Sequence, residues 1–82
     1  MLKITYLAKL KEQLATSEET IDWAGGHADD LIALLRQRGS PWEEALAPGK
    51  IYKLAINQSI VHNNAYIPAQ AEVAFLPPVT GG

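Results

Sequence analysis

The chain has 82 residues, 48% of them hydrophobic and 20% charged, with a formal net charge of −2. This is one domain with a modest core, since a chain of this size buries only about 60–65% of its unfolded surface, and it has neither the composition of a disordered chain nor the basic footprint of a nucleic-acid binder. With no cysteine, disulfides, thiolate–zinc sites and a cysteine nucleophile are all excluded.

Leu2, Ile4 and Tyr6 alternate with Lys3 and Thr5, the pattern of a strand with one buried face. Leu7, Leu10 and Leu14 follow at i, i+3 and i+7, with Lys9, Lys11, Glu12 and Gln13 between them, which predicts a short amphipathic helix. Thr16 and Glu19 match a capping box, but Thr20-Ile21-Asp22-Trp23 reads better as a strand, so that cap is discounted. Ala24-Gly25-Gly26-His27 is a loop. Asp29 and Asp30 then suit a first helical turn, Leu31, Ile32, Leu34 and Leu35 form an apolar stripe, and Arg36 and Arg38 suit the C-terminal end. The main helix is predicted over residues 28–38, with Gly39 at C′.

Ser40-Pro41-Trp42-Glu43 is a better capping box, with Ser40 at the N-cap and Pro41 at N1; it opens a short helix through Ala47 that ends at Pro48-Gly49. A strand is predicted over residues 51–56, a turn or bulge at Asn57-Gln58, a short strand over 59–61 and a loop at His62-Asn63-Asn64. The last strand runs over residues 71–76.

Strands at both ends flank a central helix. This predicts an α+β fold, a mixed sheet packed on one main helix, with the first and last strands pairing in parallel at the sheet centre. It is the β-grasp arrangement of ubiquitin-like proteins. Residues 1–76 are expected to form this domain and residues 77–82 an extended, flexible tail. Pro77-Pro78 stops the last strand and favours a polyproline-like exit. Six extended residues reach about 20 Å at about 3.3 Å each. Alternation places Val73 and Phe75 on one face of the last strand and Ala74 and Leu76 on the other. Only one of Phe75 and Leu76 is therefore expected to be fully buried, and an apolar sheet patch around Phe75, next to the exiting tail, would serve as a docking anchor.

The usual catalytic constellations are missing. His27 and His62 lie far apart without ligand-spaced neighbours, so no metal site is expected. Ser17, Ser40 and Ser59 lack a nucleophile-elbow context, and Gly25-Gly26 lacks phosphate-loop spacing. Trp23 and Trp42 read as core or staple residues rather than a binding cage. What remains is the ending Gly81-Gly82, a carboxylate on two residues without side chains, able to enter a channel too narrow for any Cβ. Adenylation by a partner would turn that carboxylate into a mixed anhydride, and a sulfur donor would convert it to a thiocarboxylate. No segment approaches the roughly 20 apolar residues of a membrane span, and Met1 to Tyr6 lacks a signal-peptide core, so a cytoplasmic protein without membrane or nucleic-acid partners is expected.

The ending Glu72-Val73-Ala74-Phe75-Leu76-Pro77-Pro78-Val79-Thr80-Gly81-Gly82 closely resembles that of molybdopterin synthase small subunits, the MoaD-type sulfur carriers. The similarity extends through Leu2-Lys3-Ile4, Leu31-Ile32-Ala33-Leu34-Leu35 and Ala55-Ile56-Asn57-Gln58. The resemblance implies a β-grasp fold and a non-catalytic subunit of a sulfurtransferase, bound to a large catalytic subunit in a 2+2 heterotetramer. It implies that Gly82 is adenylated by an activating enzyme resembling those that activate ubiquitin, with ATP used by that partner and no cofactor bound here. The resulting thiocarboxylate donates sulfur to cyclic pyranopterin monophosphate in molybdenum cofactor biosynthesis. Pro77, Pro78, Val79, Thr80 and Gly81 would form the inserted tail, and Phe75, Leu76, Leu7 and Lys11 are the candidate docking residues. Two positions depart from the family pattern: Leu76 stands where a second phenylalanine is common, and Leu7 where an aromatic is frequent. The alternatives are a sulfur carrier for thiamine or cysteine synthesis, a ubiquitin-like protein modifier, and an interaction domain with an inert tail. The segment from Ser40 to Pro48 favours the molybdopterin reading over thiamine carriers, which are usually shorter there.

Overall fold

Strand β1 (Leu2–Tyr6) buries Leu2, Ile4 and Tyr6 completely and exposes Lys3, as its alternation predicts. The computed structural model describes residues 1–48 and 52–77. The expectations for Pro78, Val79, Thr80, Gly81 and Gly82, and for the start of a strand at Ile51, lie outside the described residues.

Helix α1 (Ala8–Leu14) follows β1 directly and buries Leu10 and Leu14. Leu7 does not belong to its stripe. It is the N-cap residue, with extended dihedrals (φ −119°, ψ 155°), so its side chain continues the strand's alternation rather than the helix's period. The helix ends on Ala15 in the left-handed region (φ 53°), where the Thr16 N–H donates to the Lys11 carbonyl at 3.2 Å. No glycine marks this terminus.

Strand β2 (Glu18–Ile21) starts at Glu18 rather than Thr20, because β1 pairs antiparallel with it from Leu2↔Ile21 to Thr5↔Glu18. Trp23 leaves the sheet, and its indole N–H donates to the Ile67 carbonyl at 3.1 Å. The two-residue strand β3 (Gly26–His27) was not anticipated. Helix α2 (Ala28–Arg36) begins where predicted and buries Ala28, Leu31 and Leu35. Its entry is fixed by the Asp30 carboxylate, which accepts the His27 N–H at 2.9 Å. It ends short of Arg38, and Gly39 takes φ +87° beyond the C-cap Gln37.

The helix α3 (Trp42–Ala45) is shorter than expected, and Pro41, not Ser40, holds its N-cap position. The Glu43 N–H is satisfied by the Gly39 carbonyl at 3.0 Å, which leaves the serine without a capping role. Strands β4 (Lys53–Ile56) and β5 (Ser59–Val61) form a hairpin over Asn57-Gln58. Strand β6 (Tyr66–Ile67) pairs with β3, and β7 (Glu72–Leu76) closes the order.

The main sheet runs β2-β1-β7-β4-β5, with β1 and β7 parallel and adjacent, as predicted. One face carries Leu2, Ile4, Tyr6, Leu54, Ile56, Val73 and Phe75 against α1, α2 and the α3 region, and this is the core. The other face is not covered by any described helix. That asymmetry places the site.

Candidate functional site

The C-terminal end of β7 and the outer sheet face define the candidate site. The last described residues, Phe75, Leu76 and Pro77, lead to the segment where the chemistry is expected. Phe75 is 0% exposed and stacks on Tyr6, ring centroids 5.6 Å apart and planes 12° apart. It is therefore core, which settles the alternative left open by alternation: Leu76 is the one turned outward, half-buried on the open face. Phe75, a candidate docking residue from the sequence, is thus not available on the surface.

The open face can be read from the registers. Thr5 pairs with Ala74, Ala74 with Ala55, and Ala55 with Ile60, while Leu76 pairs with Lys53. Carrying the β1–β7 register one step past Tyr6↔Phe75 sets Leu7 beside Leu76, and the Leu7 N–H donates to the Phe75 carbonyl at 3.2 Å. Leu7 is 37% exposed and Ile60 49% exposed. Two of the sequence candidates, Leu7 and Leu76, thus meet at the tail root. Lys11 is exposed on α1, and no described contact joins it to these residues.

Ile60 was missed by sequence reasoning. Its signal was available: an isoleucine on a short edge strand, one position off the inward alternation of Leu54, Ile56 and Val61. A hollow of about 190 Å³ lies on the same face, floored by Ala55 and Ala74 and bounded by Thr5, Gln58 and Glu72. Small residues at the centre, with Ile60 and Leu76 standing around them, make a surface suited to an apolar partner.

Beneath the root lies a polar clamp. The Tyr6 hydroxyl donates to Glu19 Oε2 at 2.7 Å, and Arg38 meets both oxygens of the same carboxylate at 2.8 and 2.9 Å. Arg38 also lies 4.4 Å from the centre of the Trp42 ring, which packs edge-on to Tyr6. The Arg38 hydrogen bonds hold the Glu19 carboxyl below its usual range, and burial pushes the Tyr6 phenol well above its own. These bonds tie β1 and β2 to the segment that follows α2.

The remaining candidates fall elsewhere. His27 caps α2 and packs edge-on to Tyr66, while His62 is exposed beside a second cavity of about 210 Å³ between α2 and the β4–β5 hairpin. Tyr52, at that cavity, is raised by burial and then by the nearby Asp29 charge. Among the described residues no group of three or more His, Cys, Asp or Glu is placed to hold a metal ion, and no helix is long and apolar enough to cross a membrane.

A mixed five-stranded sheet with parallel, adjacent first and last strands, one main helix across it and one bare face is the β-grasp of ubiquitin-like proteins. A solved structure from Pyrococcus furiosus, described as a molybdopterin converting factor subunit 1, superposes with a TM-score of 0.73 over 95% of this chain and 97% of that one; at 23% identity it speaks to the fold alone. The ThiS family model matches residues 4–82. The molybdopterin synthase sulfur carrier subunits of Haemophilus influenzae and Escherichia coli are 32% and 30% identical to this chain, each over 82 residues and the whole of both sequences. The chain belongs to the ThiS family, and within it to the molybdopterin synthase sulfur carriers.

Proposed function

We infer that the chain works as the sulfur carrier subunit of molybdopterin synthase in molybdenum cofactor biosynthesis, and propose that Gly82 carries the sulfur. The observation that supports this most is the end-to-end similarity to relatives that bear that function, at 32% and 30% identity. The fold adds a physical reason. β7 is held rigidly between β1 and β4 up to Leu76, so the following residues leave from a fixed point beside an apolar face.

The chemistry needs no side chain of this domain. In the activating partner the Gly82 carboxylate attacks the α-phosphorus of ATP, and pyrophosphate leaves. A donor that delivers sulfur at the sulfide level then attacks the acyl carbon and displaces AMP, which leaves a thiocarboxylate. Docked on the large subunit through Leu7, Ile60, Leu76 and the hollow on the same face, the domain feeds Pro77 to Gly82 into the partner's active site. There the thiocarboxylate sulfur attacks an electrophilic carbon of cyclic pyranopterin monophosphate and displaces an oxygen leaving group from it. Water then cleaves the acyl C–S bond of the resulting thioester, which leaves the sulfur on the pterin as a thiol and returns the carrier's carboxylate. A dithiolene needs two sulfurs, which suits a complex of two carriers and two large subunits. The carrier is the non-catalytic subunit, and ATP is consumed by the activating enzyme.

The test is the intact mass of the chain after incubation with ATP, a sulfur donor and the adenylating enzyme of its host. The expected gain is one sulfur in place of one oxygen, absent when Gly81 and Gly82 are deleted. Adding the large subunit and the pterin precursor should return the mass to its starting value with formation of molybdopterin. Covalent adducts on lysines of other proteins would instead mark a protein modifier.

A further inference from the structure

The β4–β5 turn carries a device that the proposed docking reading has not used. The β4–β7 register, Ile56↔Val73, continues to Asn57 opposite Glu72. In an antiparallel ladder such a pair exchanges two backbone hydrogen bonds. One is present: the Asn57 N–H donates to the Glu72 carbonyl at 2.8 Å. The other is replaced. Asn57 has φ 49° and Gln58 φ 71°, as a two-residue turn with both central residues left-handed requires, so the Asn57 carbonyl leaves the ladder. Its side-chain Oδ1 accepts the Glu72 N–H at 3.0 Å in its place. The residue must therefore tolerate the left-handed region and also present an acceptor at the length of a backbone carbonyl. Asparagine and aspartate do both, glycine does only the first, and alanine does neither.

We propose that Asn57 is a positioning residue for docking on the large subunit: it ties the hairpin that carries Gln58 and Ile60 to the start of β7, whose other end carries Leu76. Among the described strands, the one bearing Ile60 is at the sheet edge and pairs with β4 alone. Without the Asn57 bond to β7, the turn can hinge about β4, and the spacing between Ile60 and Leu76 on the open face is no longer held. The tail and its root are untouched, so the effect falls on association and not on sulfur transfer within the complex. This inference rests on the docking face described above.

The test compares Asn57→Gly, Asn57→Asp and Ile60→Asp in the full chain. Dissociation constants for the large subunit are measured by calorimetry, and sulfur transfer by single turnover at saturation. Asn57→Gly keeps the backbone conformation and should weaken binding by about five- to tenfold, the equivalent of one hydrogen bond, with the saturated rate unchanged. Its Glu72 amide should lose protection from hydrogen exchange. Asn57→Asp, which keeps the acceptor, should bind within about twofold of the parent chain. Unchanged affinity in Asn57→Gly, or equal weakening in Asn57→Asp, overturns the inference. If Ile60→Asp weakens binding while Asn57→Gly does not, only the role of Asn57 fails. If Ile60→Asp leaves binding unchanged, the docking face itself is wrong and this inference falls with it.

Discussion

Tyr6 and Glu19 are joined by a 2.7 Å hydrogen bond that ties the central strand β1 to its neighbour β2 from inside the core edge. The same carboxylate takes both arms of Arg38, so one acidic group links two strands to the end of α2. The Arg38 bonds are the main reason that the Glu19 carboxyl sits below its ordinary range. A carboxylate with a depressed folded pKa stabilises the fold above its unfolded value, near 4.5, and that contribution is lost as pH falls through the folded value. Glu19→Gln should therefore lower stability at pH 7 by about 1–2 kcal/mol, with the difference from the parent chain shrinking below about pH 4. Thermal midpoints of both chains between pH 2.5 and 7 check this. Parallel curves across that range would remove the electrostatic account.

Phe75 and Leu76 are neighbours with opposite duties. Truncating Phe75 removes the ring packed on Tyr6 and Tyr52, so Phe75→Ala should cost about 3–5 kcal/mol. Leu76→Ser should change stability by less than about 1 kcal/mol and yet weaken association with the large subunit by roughly tenfold or more. Urea unfolding and titration with the large subunit separate the two effects. Equal stability losses would mean that the faces have been assigned wrongly.

Backbone handedness predicts substitutions of opposite sign. Ala15 ends α1 in the left-handed region, at φ 53° and ψ 34°, so Ala15→Gly should stabilise by about 0.5 kcal/mol after the added freedom of the unfolded chain is counted. Gly25 stands at φ +100°, and a Cβ there would lie 2.6 Å from the Tyr66 hydroxyl. That hydroxyl is the tip of an exposed side chain and can swing aside, so Gly25→Ala should cost only the backbone strain, about 1–2 kcal/mol. Gly39→Ala, at φ +87° with open space around it, should cost a similar amount. A much larger loss for Gly25 than for Gly39 would show that Tyr66 does not yield. Thermal melts of the three variants suffice.

The order of the main elements was legible because it rests on local periodicity. Leu2, Ile4 and Tyr6 announce a strand, and Leu31 and Leu35 a helix, whatever they pack against. The misplaced boundaries share a cause. β2 begins at Glu18 because pairing with β1 outweighs the weak strand preference of two glutamates, and α1 ends on Ala15 although no residue there signals a stop. Leu7 fits a helical stripe on paper, but the backbone remains extended through it, so its side chain belongs to the sheet.

The chemistry and the docking surface divide along the same line. Pro77-Pro78 and Gly81-Gly82 are read directly from the sequence, and the proposal that Gly82 carries the sulfur rests on residue identity rather than on packing. Which residues surround the base of the tail was decided only in three dimensions. Leu7, just past β1, Ile60 on β5 and Leu76 on β7 are remote in sequence, and a parallel β1–β7 pair with a β4–β5 hairpin beside it brings them to one face. Periodicity states that a side chain points away from its neighbours along the strand. Hydrogen-bond register across the sheet states what it points beside, and register is a property of the assembled chain.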